Sequence, residues 1–372
     1  MKFRLAAASI AAALVSSPVL AQTEIQWWHS MSGPLGEWVG DLAKQFNASQ
    51  GAYKVVPTYK GQYDESMTAA IAAFRAGNAP DILQVFEVGT ATMMASKGAI
   101  KPVGEVMTSG GAKFDPSVYI SAVAGYYTAP NGQMLSFPFN SSTTVFYYNK
   151  DAFKAAGLDP EKAPTTWPEV FAAADKLKAS GHKCPFTTSW VSWTQLESFS
   201  AWHNTLFASQ NNGFGGTSAR LAFNSPLHVR HFENLAKMAK NGTFVYKGRN
   251  NSADAAFPSG ECAMMTGSSG LYARVAKDAK FKYGISTLPY YPDVKGAPQN
   301  TVIGGASLLL RLPVRHQGAV RKPQAHRLPA DHHGRLQTDR RLGLLQGQAR
   351  HRRRRDADDP QDHRQVARHP PG

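Results

Sequence analysis

Cysteine is nearly absent: Cys184 and Cys262 are the two in 372 residues. Two cysteines fall short of a zinc ligand set. They leave either one disulfide or two thiols; export to an oxidising compartment favours the bridge, but spacing alone does not bring the pair within bonding reach. No run of about 18 uninterrupted apolar residues occurs, so no membrane-spanning helix is predicted. The chain also lacks His-Glu-x-x-His, Gly-x-Ser-x-Gly and a phosphate loop ending in Gly-Lys-Ser/Thr. Gly213-Phe214-Gly215-Gly216 is glycine-rich but has the wrong spacing and no preceding strand, and it reads as a surface turn. No metal site, cofactor site or nucleophile–base pair is expected, which leaves binding rather than catalysis as the class to develop.

A further absence is local. Residues 311–372 contain none of the 39 aromatic residues of the chain, yet hold 14 Arg and one Lys against six Asp, and seven of the twelve His. Such a composition buries too little apolar surface to offset chain entropy, and this segment is expected to be disordered. Its abrupt start after the strand-like Val302–Leu310 matches a GC-rich gene read out of frame better than a basic interaction arm. The formal charge of +15 therefore says little about partners. The other 310 residues carry 26 basic and 20 acidic groups, an ordinary balance that does not point to nucleic acid.

At the other end, residues 1–21 read as a signal peptide. Lys2 and Arg4 open it, Leu5 to Val15 form an apolar stretch, and Val19-Leu20-Ala21 makes a small-residue cleavage site before Gln22. With no cysteine at that site, the expected product diffuses freely in the periplasm.

The body alternates strands and helices. Ile25–Trp28 reads as a first strand, and Leu35, Trp38, Val39, Leu42 and Phe46 fall at helical spacing after it. Tyr53–Pro57 is a second strand. Met67, Ile71 and Phe74 mark a helix closed by Gly77-Asn78, and Asp81–Val85 is a buried strand. This order predicts an open, mostly parallel α/β sheet with ligands bound beyond the strand carboxyl ends, near His29-Ser30, Tyr63 and Glu87. A second α/β unit begins near Tyr147, with Thr166-Trp167-Pro168-Glu169 as a capping box. The length calls for two lobes.

Three segments carry the binding signal: Gly61-Gln62-Tyr63, Gln84 to Thr90, and Phe139-Asn140-Ser141-Ser142. Glu87 is either a carboxylate at a helix start, favoured by the macrodipole, or an acceptor for ligand hydroxyls. Trp190 and Trp193 are either core or cleft wall. Ser141-Ser142 and Ser268-Ser269-Gly270 are either plain turns or a cradle of hydroxyls and amides for an anion. His29 reads as a packed or cleft-lining residue rather than a base.

Taken in order, these segments resemble the periplasmic sn-glycerol-3-phosphate-binding proteins of bacterial ABC importers, within the extracellular solute-binding family that includes maltose-binding protein. The resemblance runs from about Trp28 to Leu310. It rests on Trp28-His29-Ser30-Met31, Val56 to Gly61 with Tyr63, Gly77-Asn78-Ala79-Pro80, Gln84 to Lys97, and Phe139 to Ser142. Tyr147 to Asp151, Gly157-Leu158-Asp159-Pro160, Asn211 to Phe214, and Ala297 to Ser307 continue it.

The resemblance implies a two-lobed periplasmic-binding-protein fold with a hinge and an interlobe cleft. The expected division is lobe I over 22–140, lobe II over 141–299, a return crossover over 300–310, and the off-pattern tail over 311–372. It implies ligand contacts at Tyr63, Glu87, Ser142, Trp190, Trp193, Ser268 and Gly305, with hydroxyl and amide donors on the phosphate and Glu87 on the glycerol. The ligand implied is sn-glycerol-3-phosphate, or a glycerophosphodiester, taken up by a monomer for an ABC permease and its ATPase. A neutral sugar or oligosaccharide is the alternative ligand, and a periplasmic phosphodiesterase a more distant one. Two family contacts, a tyrosine and an arginine, would lie beyond the resemblance and have no counterpart here. The helices that complete both lobes after the return crossover are missing as well.

Overall fold

The computed structural model describes residues 22–95, 100–129, 131–213, 215–216 and 218–311. The expected signal peptide, the off-pattern segment from residue 312 onward, Ser96-Lys97 and Phe214 lie outside the described residues.

The first lobe opens with β1 (Thr23–His29), α1 (Gly33–Ser49), β2 (Tyr53–Tyr59), α2 (Tyr63–Arg75), β3 (Ile82–Phe86) and α3 (Glu87–Ala95). β2, β1 and β3 are parallel neighbours, as the alternating pattern predicts. The short β4 (Ile100–Lys101), α4 (Val103–Ser109) and α5 (Ser121–Tyr126) lead to β5 (Phe137–Ser142). Ala70, Leu83 and Val85 are buried between α2 and this sheet, and Trp27, Met31 and Val39 are buried beside α1. Within α1 the buried residues are Val39 and Ala43, while Leu35 and Trp38 are exposed. The periodicity therefore located the helix but placed its inward face slightly off.

The second lobe follows after one residue, Thr143. It contains β6 (Thr144–Asn149), α6 (Lys150–Ala155), α7 (Trp167–Ala179), β7 (Phe186–Thr188), a π-helical turn (Trp193–Glu197), α8 (Ser198–Trp202), the short α9 (Ser209–Asn212), α10 (Pro226–Lys240), β8 (Met264–Ser268), α11 (Tyr272–Asp278) and β9 (Tyr283–Ser286). Its sheet order is β7-β8-β6-β9, with β6 antiparallel to both β8 and β9. Only β7 and β8 run parallel. This lobe is thus more antiparallel than the sequence pattern suggested.

The capping box at α7 forms as expected: Glu169 N–H donates to Thr166 Oγ1 at 3.3 Å, and Thr166 N–H donates to the Glu169 carboxylate at 3.0 Å. Trp167, Val170, Ala174 and Leu177 then pack with Phe146, Phe186 and Met264 into the main core. Cys184 and Cys262, just ahead of the adjacent strands β7 and β8, are joined by a disulfide across a sequence separation of 78 residues.

The chain returns to the first sheet as β10 (Gly304–Arg311), antiparallel to β3 on one side and paired with β5 on the other. The two crossings touch, since the hydroxyls of Thr143 and Thr301 are 2.6 Å apart.

Candidate ligand-binding cleft

Strand ends place the candidate residues. β1 ends at His29, β3 at Phe86, β5 at Ser142, β7 at Thr188 and β8 at Ser268, and β10 starts at Gly304. The segments leaving these ends enclose a cavity of about 230 Å³. Tyr63, Glu87, Ser142, Trp190, Trp193, Ser268 and Gly305 all line it, although they span more than 240 positions of sequence. His29 does not line it. It is buried, and its Nδ1 accepts the Met31 N–H at 3.3 Å.

The orientation of the Tyr63 hydroxyl follows from a chain of unambiguous donors. Ser30 N–H donates to Gln84 Oε1 at 2.8 Å, so the Gln84 amide nitrogen faces Asn140 Oδ1, also at 2.8 Å. That fixes the Asn140 amide, whose nitrogen donates to the Tyr63 hydroxyl oxygen at 3.1 Å. The Tyr63 proton is then free to be donated to a guest in the cleft. The ring itself lies parallel to Phe86, with centroids 5.3 Å apart. Burial holds the Tyr63 pKa above its ordinary value, so the hydroxyl stays a donor.

Glu87 is the first residue of α3 and also part of the cleft wall, so the two roles offered by the sequence coexist in one side chain. The Gly305 N–H donates to its Oε2 at 3.1 Å. Burial raises its pKa to about 7, against hydrogen bonds that lower it, and the charge of Glu197 raises it further. The adjoining glycines make this contact possible. A Cβ on Gly304 would come within 2.5 Å of the Trp193 ring, and one on Gly305, whose φ is +129°, within 2.1 Å of the Asn140 carbonyl oxygen.

Trp193, in the π-helical turn, is buried with its indole Nε1 unpartnered by any described residue. Trp190 stands opposite Tyr63, ring centroids 6.1 Å apart. Ser268 forms the turn that was one of its two options: its Oγ accepts the Gly270 N–H at 3.0 Å. Ser142 closes β5 opposite Gly304.

Sequence reasoning missed several lining residues. Ser30 lines the cavity as expected, but the residues after it, Met31 to Leu35, also bring the start of α1 to the cleft, where Ser32 makes no side-chain cap and the first-turn N–H groups give that wall a positive end. Asn251, Asp254 and Arg274 also line the cavity. Burial raises the Asp254 pKa, and its carboxylate accepts from Asn251 Nδ2 at 2.7 Å. The Gly33-Pro34 pair hinted at a helix start, and Asn140 sat within a recognised segment. Nothing local marks Asp254 or Arg274. Among the described residues no cluster of three or more His, Cys, Asp or Glu could hold a metal ion.

The model of the bacterial extracellular solute-binding protein family matches residues 41–322. The chain belongs to that family. The solute-binding chain is 57% identical over 290 residues to the sn-glycerol-3-phosphate-binding periplasmic protein UgpB of Salmonella typhimurium, covering 78% of itself and 66% of that relative. It is 54% identical over 306 residues to UgpB of Pectobacterium atrosepticum, covering 82% of itself and 69% of the relative. It thus spans just under two thirds of the length of the Salmonella protein. Among solved structures, UgpB from Mycobacterium tuberculosis in complex with glycerophosphocholine matches with a TM-score of 0.65 at 22% identity, over 80% of this chain and 72% of that one. The GacH receptor of Streptomyces glaucescens matches with a TM-score of 0.66 at 18% identity, over 82% and 74%. These two likenesses establish the two-lobed α/β solute-binding fold.

Proposed function

We propose that the protein captures sn-glycerol-3-phosphate, or a glycerophosphodiester, in this cleft in the periplasm and delivers it to an ABC permease and its ATPase. The observation that carries this reading is the convergence of Tyr63, Glu87, Ser142, Trp190, Trp193, Ser268 and Gly305 on one cavity. It is supported by 57% identity to a relative named for binding sn-glycerol-3-phosphate. In this reading the Glu87 carboxylate and the Tyr63 hydroxyl take the glycerol hydroxyls, one as acceptor and one as donor. Ser142 and Ser268 face the phosphate, and the two tryptophans enclose the ligand. The lobes hinge at Thr143 and at the return before Gly304. The protein binds and releases its ligand as a monomer, without chemistry on it.

Calorimetry on the purified protein tests the reading. Binding heat with sn-glycerol-3-phosphate and glycerophosphocholine, and none with maltose, is expected. The reverse pattern would assign the cleft to a neutral sugar, the class for which its aromatic wall is also suited. Release of glycerol-3-phosphate from glycerophosphocholine by the purified protein would overturn the non-catalytic assignment.

A further inference from the structure

The inference rests on the reading of the cleft as a glycerol-phosphate site and adds to it the side chain that recognises the phosphate. Among the described residues lining the cavity, Arg274 is the single basic one, set against two acids, Glu87 and Asp254. An anionic ligand entering a cavity with that balance is repelled unless a cation offsets it. Glu87 is held by Gly305 in the first lobe, whereas Arg274 projects from α11 in the second.

The packing of α11 sets where Arg274 goes. Lys277 lies 3.4 Å from Glu37 of α1, so α11 docks alongside α1 across the cleft. Arg274, three residues earlier, shares that helix face. It is one turn after Gly270 and Leu271, which follow Ser268 in the cleft wall. Its one ion pair among the described residues is weak: Nε stands 3.6 Å from Asp278 Oδ2 on the same helix, and both side chains are about half exposed. The two Nη groups have no hydrogen-bond partner among the described residues, and the Arg274 charge also acts on the cavity-lining Asp254, whose pKa it lowers against burial.

We propose that Arg274 is the phosphate-reading residue of the cleft, its guanidinium donating to two phosphate oxygens while the glycerol hydroxyls lie toward Glu87 and Tyr63. A planar fork suits that bidentate contact, and lysine reproduces its charge but not its geometry. The contact supplies a cation from among the described residues of the cleft.

The test compares wild type, Arg274→Lys and Arg274→Met by calorimetry at pH 8 with sn-glycerol-3-phosphate, whose phosphate is a dianion there, and glycerophosphocholine, a zwitterion whose phosphodiester carries a single negative charge. Arg274→Met should weaken the monoester on the order of tenfold to a hundredfold and the diester less, shifting selectivity toward the diester. Arg274→Lys should recover part of the monoester loss. Because the side chain is half exposed, the melting temperature should stay near wild type. If Arg274→Met keeps wild-type affinity, or loses both ligands equally, the proposal is overturned while the reading of the cleft stands. If wild type binds neither phosphate ligand, that reading falls and the proposal with it.

Discussion

Trp190 donates its backbone N–H to the carbonyl of Asn250 at 3.0 Å, and both residues have a φ of +50°. Left-handed backbone is costly for a tryptophan and tolerable for an asparagine. The pair also reaches the start of α2 in the other lobe. Asn250 Nδ2 donates to Asp64 Oδ1 at 3.1 Å, and the Asn251 N–H donates to Gln62 Oε1 at 3.4 Å. Strain on one side of the cleft is thus stored where the lobes meet around Tyr63.

Replacing Asn250 separates strain from contact. Asn250→Ala keeps a Cβ in left-handed backbone, loses the polar side chain that makes that conformation tolerable, and removes the bond to Asp64, and should destabilise the fold by roughly 1–2 kcal/mol. Asn250→Gly removes the same bond without the strain, so less than half of that loss is expected. Urea denaturation of both variants gives the comparison; equal losses would show that the φ of Asn250 carries no energetic weight.

Glu87 makes ligand binding sensitive to pH. Its pKa near 7 means that the carboxyl of the empty cleft is largely protonated at pH 6. A ligand hydroxyl that donates to the carboxylate favours the ionised form, so affinity should rise as pH rises through 7. Glycerophosphocholine isolates the effect because its phosphodiester does not titrate in this range. About a tenfold gain in affinity from pH 6 to pH 8 is expected, and Glu87→Gln should flatten the profile and weaken binding roughly tenfold at pH 8. The empty protein should respond in the opposite sense. A folded pKa raised above 4.5 means stability is lost as pH rises from 4.5 through 7, so Glu87→Gln should stabilise the empty protein at pH 8. A wild-type affinity that stays level across the range would remove Glu87 from the ligand.

The disulfide should hold the second lobe against unfolding. Its partners are 78 residues apart, and closing a loop of that length contributes about 4.5 kcal/mol in the chain-entropy limit, with about 2–4 kcal/mol typical. The sequence contains no other cysteine, so any effect of reductant on stability belongs to this bond. Dithiothreitol and the double variant Cys184→Ser, Cys262→Ser should lower the denaturation midpoint alike. An unchanged midpoint in both would mean that the unfolded chain is not constrained by the bond.

The parallel β2-β1-β3 unit was legible because its strands are short apolar runs separated by helices with clear periodicity. Glu87 was legible because it follows the buried run from Ile82 to Phe86. The direction of β8 and β9 was not, because Met264–Ser268 and Tyr283–Ser286 carry no mark of which neighbour they pair with. Nor could local pattern place β10 between β3 and β5, a pairing that joins Gly304 to Ser142 over more than 160 residues. Arg274 and Asp254 show the same limit at the cleft: each sits in ordinary sequence, and only the docking of distant segments brings it to the cavity.

Buried histidines in the second lobe should set its acid limit. His203 Nε2 accepts the Tyr291 N–H at 2.9 Å, which leaves Nδ1 to donate to the Phe199 carbonyl at 2.8 Å. His231 lies between the Tyr291 hydroxyl at 3.3 Å and Gln195 Oε1 at 3.0 Å, and Gln195 belongs to the turn that carries Trp193. His228 bridges Ser200 and Ser225 at 2.8 and 2.7 Å. Burial holds the His203 pKa down to about 4 and those of His228 and His231 below 6.5, and the nearby Arg230 depresses His203 and His231 further. All three are therefore folded in the neutral form.

The unfolded chain takes up protons on these residues near pH 6.5 and the folded chain does not. Stability is thus complete above that pH and is lost as pH falls toward 4, by about 3 kcal/mol for His203 alone. Glu87 and Glu197, whose pKa values are raised, oppose this loss over part of the same range. The urea midpoint should fall between pH 6.5 and pH 4.5 in the wild type. His203→Gln should start lower at pH 7.5, by roughly 1–3 kcal/mol for the disturbed buried hydrogen bonds, but decline less steeply with acid. A variant that keeps the wild-type slope would remove His203 as a source of the acid sensitivity.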